Sequence, residues 1–416
     1  MKKILIVGSG LSGSVIARIL AENNFIINII DKRNHLGGNV YDYINSKKIK
    51  VHKYGPHLFH TNNERVMKFL RKYSEWIEYK HKVKAILDNG EYVTMPVNKK
   101  TIKVVGKDNI VDVLYRPYSE KMWGMKLEDI SKDIINRLPI RNDYNELYFP
   151  NDKYQFIPKN GYTQLIKNIL THPNISVRIN KPFSISMEPK YDYIFNSMPI
   201  DEYYNFKFGK LDYRSIKFHT KHFNSPKLLP VVQVNFTNNR KFTRMTEWKN
   251  IPNHGENKIC TSITFEEPCS YEENNNERYY PVKDSKGINR DLYKKYKEIK
   301  NEKVKFIGRL GLYAYLDMDQ AISAAMPTNW TCASAAIAHA ENGRISGMTV
   351  AELQLMSPKP MLLVLRPFYR VRRLRKRHAD LHGHLLERGR LLSLRGAVTH
   401  QNVHHWTFGV AGLVSV

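Results

Sequence analysis

The sequence has few cysteines and no long apolar run, which excludes several classes of protein. Its three cysteines, Cys260, Cys269 and Cys332, form no CxxC pair and are too few for a disulfide framework. A reducing, cytoplasmic location is therefore expected. No stretch of about 18 apolar residues occurs, so no transmembrane segment is predicted. The apolar start of the chain breaks at Gly8, which is too early for the core of a secretion signal.

Acidic residues are scarce relative to basic ones. The chain has 39 Asp and Glu against 66 Lys and Arg, a formal net charge of +27 over 416 residues. Such an excess fits either nucleic acid or an anionic substrate such as a nucleotide diphosphate. The most basic run, residues 370–377, lacks interleaved aromatic residues, so no nucleic-acid partner is expected. Length and composition are those of a soluble enzyme with two or three domains.

The first recognisable feature is a dinucleotide-binding pattern at the start of the chain. A β-rich run is followed by Gly8-x-Gly10-x-x-Gly13, a helical pattern, and a second apolar run that ends at Asp31. The glycines allow a tight turn and let a pyrophosphate approach the helix N-terminus, where an anion is favoured. Asp31 is placed to accept hydrogen bonds from a ribose. This order predicts a Rossmann-like domain rather than a fortuitous glycine-rich turn.

A Gly-Gly pair follows within residues 32–39. Flavoproteins of the amine-oxidase type place such a loop against the phosphates of FAD, and a nicotinamide enzyme would not need it. FAD is therefore the expected cofactor. Several histidines lie in residues 52–61, but no cluster of cysteines or carboxylates accompanies them. We therefore interpret them as structural residues, and no metal site is expected.

Ordered phrases along the chain closely resemble the UDP-galactopyranose mutase family. They are residues 32–39, 52–61, 118–124, 134–141, 148–149, 157–163, 211–215, 243–244, 279–281, 308–310 and 315–318. The resemblance covers roughly residues 1–326. It implies an α/β fold, in which a Rossmann-like FAD-binding domain carries an inserted helical region and an antiparallel-sheet substrate domain.

The resemblance also implies a domain arrangement. The expected FAD-binding domain is discontinuous and comprises residues 1–80, 190–230 and 300–326. The expected helical substrate region is shortened and comprises residues 98–150. The expected substrate domain that contains the β-sheet comprises residues 81–97, 151–189 and 231–299. Members of the family use the helical region for dimer contacts, so its shortening predicts a weakened homodimer.

The family interconverts UDP-galactopyranose and UDP-galactofuranose, and the product supplies galactofuranose for surface polysaccharide. FAD must be reduced by an external reductant, although no net redox change occurs. The flavin N5 is expected to form a covalent adduct with the sugar as UDP leaves, so the difficult chemistry belongs to the cofactor. Two alternatives stay open: an FAD-dependent oxidoreductase of the amine-oxidase type, and a mutase relative that uses another UDP-hexose.

The resemblance assigns roles to individual residues. Arg137, Arg244 and His57 are the expected catalytic residues, and the two guanidinium groups would clamp the diphosphate because their forks bind phosphate oxygens bidentately. Expected substrate-binding residues are Tyr118, Trp123, Arg137, Tyr148, Arg244, Tyr280 and Tyr315. Expected cofactor-binding residues are Gly8, Gly10, Gly13, Asp31, Lys32, Gly38, Asn39, His57, Arg309, Asp317 and Met318. The alternatives are a structural salt bridge for Arg137 and plain packing for Trp123 and Tyr315.

The composition of the chain changes near Met326, after the last family phrase. Residues 327–416 contain ten arginines and two lysines against four acidic residues, and they are rich in Leu, Ala and His. We expect this basic segment to have a separate coding origin, to be solvated or disordered, and to be dispensable for the chemistry. A non-enzymatic basic binding protein that acts through this segment is the remaining alternative.

Overall fold

The computed structural model of the chain describes residues 1–135 and 140–326. The strands are β1 (Lys3–Val7), β2 (Ile26–Ile30), β3 (Asp42–Ile44), β4 (Lys50–His52), β5 (Phe59–Thr61), β6 (Trp76–Glu78), β7 (Val83–Ile86), β8 (Tyr92–Met95), β9 (Tyr154–Pro158), β10 (Ile175–Arg178), β11 (Tyr193–Asn196), β12 (Tyr213–Phe223), β13 (Gln233–Phe236), β14 (Arg244–Glu247), β15 (Thr261–Ser270), β16 (Tyr280–Pro281) and β17 (Val304–Phe306). The helices are α1 (Leu11–Glu22), α2 (Glu64–Leu70), α3 (Lys99–Val105), α4 (Arg116–Trp123), α5 (Lys132–Ile135), α6 (Tyr162–Leu170), α7 (Ile200–Tyr203), α8 (Ile288–Lys297), α9 (Gly308–Gly311) and α10 (Met318–Ala325).

A parallel sheet forms the first layer, with the strand order β10-β2-β1-β11-β17. Its central strand β1 contributes Ile4, Leu5 and Ile6, all fully buried. A run that is apolar on both faces is typical of a parallel sheet covered on both sides. One side is covered by α1, which packs against α6 and α10 in a shared apolar core. The predicted Rossmann-like unit is therefore present.

A second, seven-stranded sheet has the order β16-β12-β15-β14-β13-β7-β8. All of its neighbouring strands are antiparallel except the parallel pair β13 and β7. The long strands β12 and β15 pair from Arg214 opposite Ser270 to Phe223 opposite Thr261. Strand β14 lies beside β15 and begins at Arg244, so this sheet positions one expected catalytic residue.

Strand pairing differs from the expected domain ranges at two places. Strand β10 pairs with β2 in the parallel sheet, although residues 151–189 were assigned to the substrate domain. Helix α6 buries Leu165 and Ile166 in the same core as α1, which carries the chain back to that sheet. Strand β12 pairs with β15, although residues 190–230 were assigned to the FAD-binding domain. Order along the chain does not reveal which distant strands pair, and the expected domain ranges stay a prediction.

Helices α3, α4 and α5 lie inside the expected helical region, and α4 carries two of the expected substrate residues. Arg137 and residues 327–416 lie outside the described residues, so the expectations for them are not addressed by the structure. In residues 1–135 and 140–326, no helix is both long and apolar enough to cross a membrane.

Candidate active site

The glycine turn between β1 and α1 forms one wall of a cavity. A Cβ atom on Gly13 would lie 2.1 Å from the carbonyl oxygen of Gly8, so the close packing of helix on turn requires glycine. A Cβ on Gly10 would meet nothing nearer than the Cα of Gly38, at 3.9 Å. The open side of Gly10 faces the cavity, which lets a ligand approach the backbone at the N-terminus of α1.

Asp31 closes the end of β2 beside this turn and is 7% exposed. Its Oδ2 accepts hydrogen bonds from the Ser9 main-chain N–H at 2.8 Å and from the Ser9 hydroxyl at 2.6 Å. Its Oδ1 accepts from the Arg33 N–H at 3.0 Å. A carboxylate offers about four acceptor positions. The carboxylate is therefore rigidly held and keeps capacity for one further donor, such as a ribose hydroxyl.

All of the residues expected to bind the cofactor line this one cavity. They come from four separate segments: the glycine turn, the end of β2 with the Gly37-Gly38 loop, the loop before β5, and the segment from α9 to α10. In α10, Asp317 is the N-cap of the helix and forms a capping box with Gln320. The structure brings together residues up to about 300 positions apart, although their individual roles stay predictions.

A buried ion pair lies in the antiparallel sheet next to this cavity. The Nε of Arg244 donates to Oε2 of Glu266 at 2.6 Å, and Glu266 is fully buried. Burial raises the pKa of Glu266, and Arg244 offsets this only in part. Burial alone would lower the pKa of Arg244, but Glu266 holds it above its ordinary value. Because Nε is engaged, the guanidinium presents its other nitrogens as a fork.

Three of the expected substrate-binding residues, Trp123, Tyr280 and Tyr315, form an aromatic cluster. The ring of Trp123 lies edge-on to that of Tyr280 at 5.2 Å and is 6.1 Å from that of Tyr315. The Tyr280 hydroxyl donates to the Met122 carbonyl at 2.7 Å. Tyr280 has only one hydroxyl proton. In this conformation it therefore acts toward other groups as an acceptor, whereas a contact to a phosphate oxygen would require a donor.

Two contacts join the expected substrate-binding residues to the cavity. The Arg309 guanidinium lies 4.9 Å from the centre of the Tyr315 ring, and Arg309 also lines the cavity. On the other side, a Cβ added to Gly55 would lie 3.7 Å from Nη2 of Arg244. Gly55 belongs to the same short loop as His57, which lines the cavity. Cationic groups therefore lie at the boundary between the two parts of the site.

Three buried phenols of the site, those of Tyr118, Tyr148 and Tyr280, are neutral. Burial raises the pKa of Tyr118 and that of Tyr148 above the ordinary value, and Arg244 opposes this only in part. Burial likewise raises the pKa of Tyr280. Neutral phenols add no negative charge that would repel a diphosphate.

Within the described residues, no group of three or more His, Cys, Asp or Glu side chains is arranged to hold a metal ion.

Comparison with known proteins identifies the family. A model of the UDP-galactopyranose mutase family matches residues 113–315, and a model of NAD(P)-binding Rossmann-like domains matches residues 6–73. A UDP-galactopyranose mutase from Mycoplasma genitalium is 36% identical over 372 residues, which cover 77% of this chain and 92% of that protein. This chain belongs to the UDP-galactopyranose mutase family. The family prediction is confirmed, and the chain is an enzyme of the mutase type.

The UDP-galactopyranose mutase family includes relatives with other names. A dTDP-fucopyranose mutase from Escherichia coli is 34% identical over 372 residues, covering 78% of this chain and 97% of the relative. A crystal structure of reduced UDP-galactopyranose mutase superposes with a TM-score of 0.64 at 15% identity, covering 84% of this chain and 96% of that one. The structural likeness confirms the predicted α/β fold with its Rossmann-like dinucleotide-binding domain.

Two residues at the mutase site, Glu266 and His81, were not predicted from the sequence. Glu266 lies in the middle of β15, next in sequence to a second acidic residue, and only strand pairing shows that it faces Arg244. His81 is 4% exposed, its ring lies 5.5 Å from that of Tyr148, and its Nδ1 has no hydrogen-bond partner among the described residues. Burial, then Arg244, lowers the pKa of His81 to about 3, so the ring is neutral.

Proposed function

We propose that the chain is a flavin-dependent isomerase that interconverts UDP-galactopyranose and UDP-galactofuranose and supplies galactofuranose for surface polysaccharide. The observation that supports this most directly is the position of Arg244. Its fixed guanidinium lies beside the loop of His57, at the edge of a cavity lined by every expected cofactor residue. A diphosphate clamp next to a dinucleotide cavity suits a sugar nucleotide as substrate.

The residues that line the cavity fit FAD. Gly10 leaves its open side to the cavity, and the capacity left on Asp31 suits a ribose hydroxyl. When bound and reduced by an external reductant, the flavin would supply the nucleophile for the anomeric carbon, and the covalent flavin–sugar adduct expected from the resemblance is part of this proposal. The side chains around the flavin would bind the diphosphate and orient the nucleotide.

Arg244 holds the diphosphate of the substrate in this proposal. Glu266 fixes the guanidinium through Nε, which leaves the remaining N–H groups to bind phosphate oxygens in a bidentate manner. The diphosphate must leave the sugar and return to it, and a permanent cation held in place stabilises it in both states. Arg137, which lies outside the described residues, is proposed as the second clamp on the strength of the resemblance alone.

The aromatic residues orient the nucleotide. Tyr118 and Trp123, both on α4, are proposed to contact the uridine, where stacking supplies most of the attraction. Tyr148 and Tyr315 are proposed to donate to the phosphates. Tyr280 would serve as a donor only if substrate displaced its bond to the Met122 carbonyl.

A second sugar nucleotide is a specific alternative. The dTDP-fucopyranose mutase relative is about as similar to this chain as the UDP-galactopyranose mutase relative is. The site residues argued above contact diphosphate and base, and they do not distinguish galactose from fucose. A dTDP-fucopyranose mutase activity is therefore the competing proposal.

The test uses the purified full chain. Its absorbance should show bound flavin, and turnover of UDP-galactofuranose should appear only after reduction with dithionite. Parallel assays with dTDP-fucopyranose decide between the two substrates. A well-folded protein without flavin after incubation with FAD would contradict the proposal, as would equal turnover in the oxidised state.

A further inference from the structure

Three histidines form a continuous chain from the cavity wall into the interior. His57 lines the cavity, His52 ends strand β4, and His254 lies in the loop between β14 and β15. His52 and His254 are 1% and 2% exposed. Their Nε2 atoms are 3.0 Å apart, although the residues are 202 positions apart in the sequence. Two buried imidazoles in this arrangement share a single proton between facing nitrogens.

The protons of this chain of histidines can be assigned from the groups that face them. The main-chain N–H of His57 donates to Nδ1 of His52 at 3.0 Å, so that nitrogen carries no proton. A neutral His52 therefore carries its proton on Nε2 and donates it to Nε2 of His254. His254 then carries its own proton on Nδ1, which donates to the Pro252 carbonyl at 2.8 Å. Every donor has one acceptor, and both rings are neutral.

The ring of His57 has a fixed proton as well. Its Nδ1 lies 2.8 Å from the Gly55 carbonyl, which can only accept, so Nδ1 carries the proton. The Nε2 of a neutral His57 is therefore an acceptor. The bond from the His57 main chain to His52 holds the short turn that places the Gly55 carbonyl against this ring.

We propose that His52 and His254 are positioning residues that hold the His57 turn, and that they thereby fix the proton of the neutral His57 ring on Nδ1, which leaves Nε2 as an acceptor at the cofactor cavity. The inference rests on the proposed function for the identity of the ligand in that cavity. His52 and His254 act through His57 and do not line the cavity themselves. Partners of this kind orient a site residue and fix its tautomer.

The arrangement has no place for an additional proton. A proton on Nδ1 of His52 would break the bond to the His57 main chain. A proton on Nε2 of His254 would face the proton already on His52. Burial, then His254, His57 and Lys50, lowers the pKa of His52 well below its ordinary value. Burial, offset in part by the Pro252 carbonyl, lowers that of His254 to about 4.

The surrounding charges also oppose protonation. Burial, then Arg309 and Arg244, lowers the pKa of His57 to about 4, although its bond to the Gly55 carbonyl acts in the opposite direction. Asp42 lies opposite His52 in the β3–β4 pair, but its carboxylate accepts the N–H groups of Tyr162 and Thr163. The Tyr162 ring stands edge-on to His52, and burial raises its pKa, so it stays neutral.

Two substitutions at position 254 test the role of the chain of histidines. In His254→Gln, the side-chain oxygen reaches the position of Nε2 and still accepts from His52. In His254→Asn, the amide is one methylene shorter; it still donates toward Pro252 but does not reach His52. The two variants match in polarity, and neither titrates. Only the second leaves a buried donor on His52 without an acceptor, which is costly.

The readout is ¹⁵N–¹H NMR of the full-length holoenzyme labelled at histidine, which reports the tautomer of each ring. We expect wild type and His254→Gln to show His57 protonated at Nδ1 near neutral pH. We expect His254→Asn to lose this signature and about 10- to 100-fold in kcat/KM, with unchanged flavin content. On acidification of the wild type, the signals of His52 and His57 should change at one common midpoint.

The outcomes separate the inference from the proposed function. If His254→Asn and His254→Gln both keep the His57 tautomer and the wild-type kcat/KM, the pair is ordinary core packing and the inference is wrong. Separate midpoints for His52 and His57 would also overturn it. A wild-type protein that binds no flavin would contradict the proposed function, whereas the tautomer of His57 would still decide the inference. If His254→Asn does not fold, the common midpoint in the wild type decides.

Discussion

At the scale of single residues, the buried pair of Arg244 and Glu266 dominates the electrostatics of the site. Such a pair contributes little to stability, because the cost of removing two charges from water offsets most of their attraction. The second carboxylate oxygen of Glu266, Oε1, has no hydrogen-bond partner among the described residues. The arrangement therefore favours function over stability: Glu266 holds Arg244 in one orientation before any substrate binds.

Arg244→Ala should lower kcat/KM about 10- to 1,000-fold, because a charge-assisted contact to phosphate is lost. Flavin absorbance should not change, since Arg244 is not among the residues that line the cofactor cavity. Arg244→Lys should restore little activity, because an ammonium lacks the planar fork that binds two phosphate oxygens side by side. Arg290→Ala, at an exposed arginine on α8, is the control. Wild-type kinetics in Arg244→Ala would refute the clamp.

Gly55 and Gly90 form a matched pair for a second test. Their φ angles are +86° and +85°, so alanine suffers similar backbone strain at both positions. A Cβ on Gly55 would lie 3.2 Å from the Phe218 ring and 3.3 Å from Oε1 of Glu266, whereas a Cβ on Gly90 would meet nothing within 4 Å.

Gly55→Ala should therefore displace the Arg244–Glu266 pair and lower kcat/KM about 10- to 100-fold. Gly90→Ala should cost only roughly 1 kcal/mol of stability. Thermal unfolding and steady-state kinetics of both variants give the comparison. Equal kinetic effects of the two substitutions would show that backbone strain alone, and not the contact with Glu266, is responsible.

At the scale of secondary-structure elements, helix α4 is attached to the antiparallel sheet through its C-terminal turn. The Lys121 ammonium donates to the carbonyls of Asn238 at 2.6 Å and Phe242 at 3.0 Å, in the turn between β13 and β14. Arg214 of β12 donates to the carbonyls of Lys121 and Met122, both at 3.1 Å. These bonds fix Tyr118 and Trp123 relative to the strand that carries Arg244.

Lys121→Met should loosen this attachment without touching the site directly. We expect KM for the sugar nucleotide to rise more than kcat falls, because base and phosphate contacts no longer keep their spacing. The melting temperature should drop by roughly 2–6 °C, the effect of losing charged hydrogen bonds in a chain of this size. Lys126→Met, at an exposed lysine just after α4, serves as the control. An unchanged KM in Lys121→Met would contradict the proposed coupling.

At the scale of the whole molecule, helix α10, near the end of the described residues, packs against helix α1 near the start of the chain. Ile322 is fully buried and Ala325 is 4% exposed, both in the core that contains α1. The Ser12 hydroxyl in α1 donates to the Ala321 carbonyl at 3.1 Å. Helix α10 therefore completes the cavity wall that begins with the glycine turn some 300 residues earlier.

A chain that ends at Asp317 should lose flavin, because it lacks the part of the cavity wall that α10 provides. A chain that ends at Asn342 should keep both flavin and mutase turnover, as expected if the later basic segment is dispensable. Flavin content and turnover of both shortened chains, compared with the full chain, make the measurement. If the chain ending at Asn342 were soluble but free of flavin, the expected boundary near Met326 would be wrong.

The sequence by itself determined the features that depend on local spacing. The order of strand, glycine turn, helix, strand and Asp31 is readable because each element needs only its neighbours, and the turn tolerates nothing but glycine where helix meets strand. The family phrases assigned both Arg244 and the aromatic residues to substrate binding, since a diphosphate substrate requires fixed cations and neutral donors. The start of helix α10 at Met318 is also a local feature, because Asp317, the residue before it, is a good N-cap.

Tertiary structure alone decided which distant residues meet. No local pattern shows that β10 joins the first sheet and β12 the second, because strand pairing is settled by the core that each strand helps to bury. The same holds for Glu266 beside Arg244, for the Tyr280 proton on the Met122 carbonyl, and for His52 against His254. Charge state and tautomer at these positions follow from burial and from the group that faces each atom, and both exist only once the chain has folded.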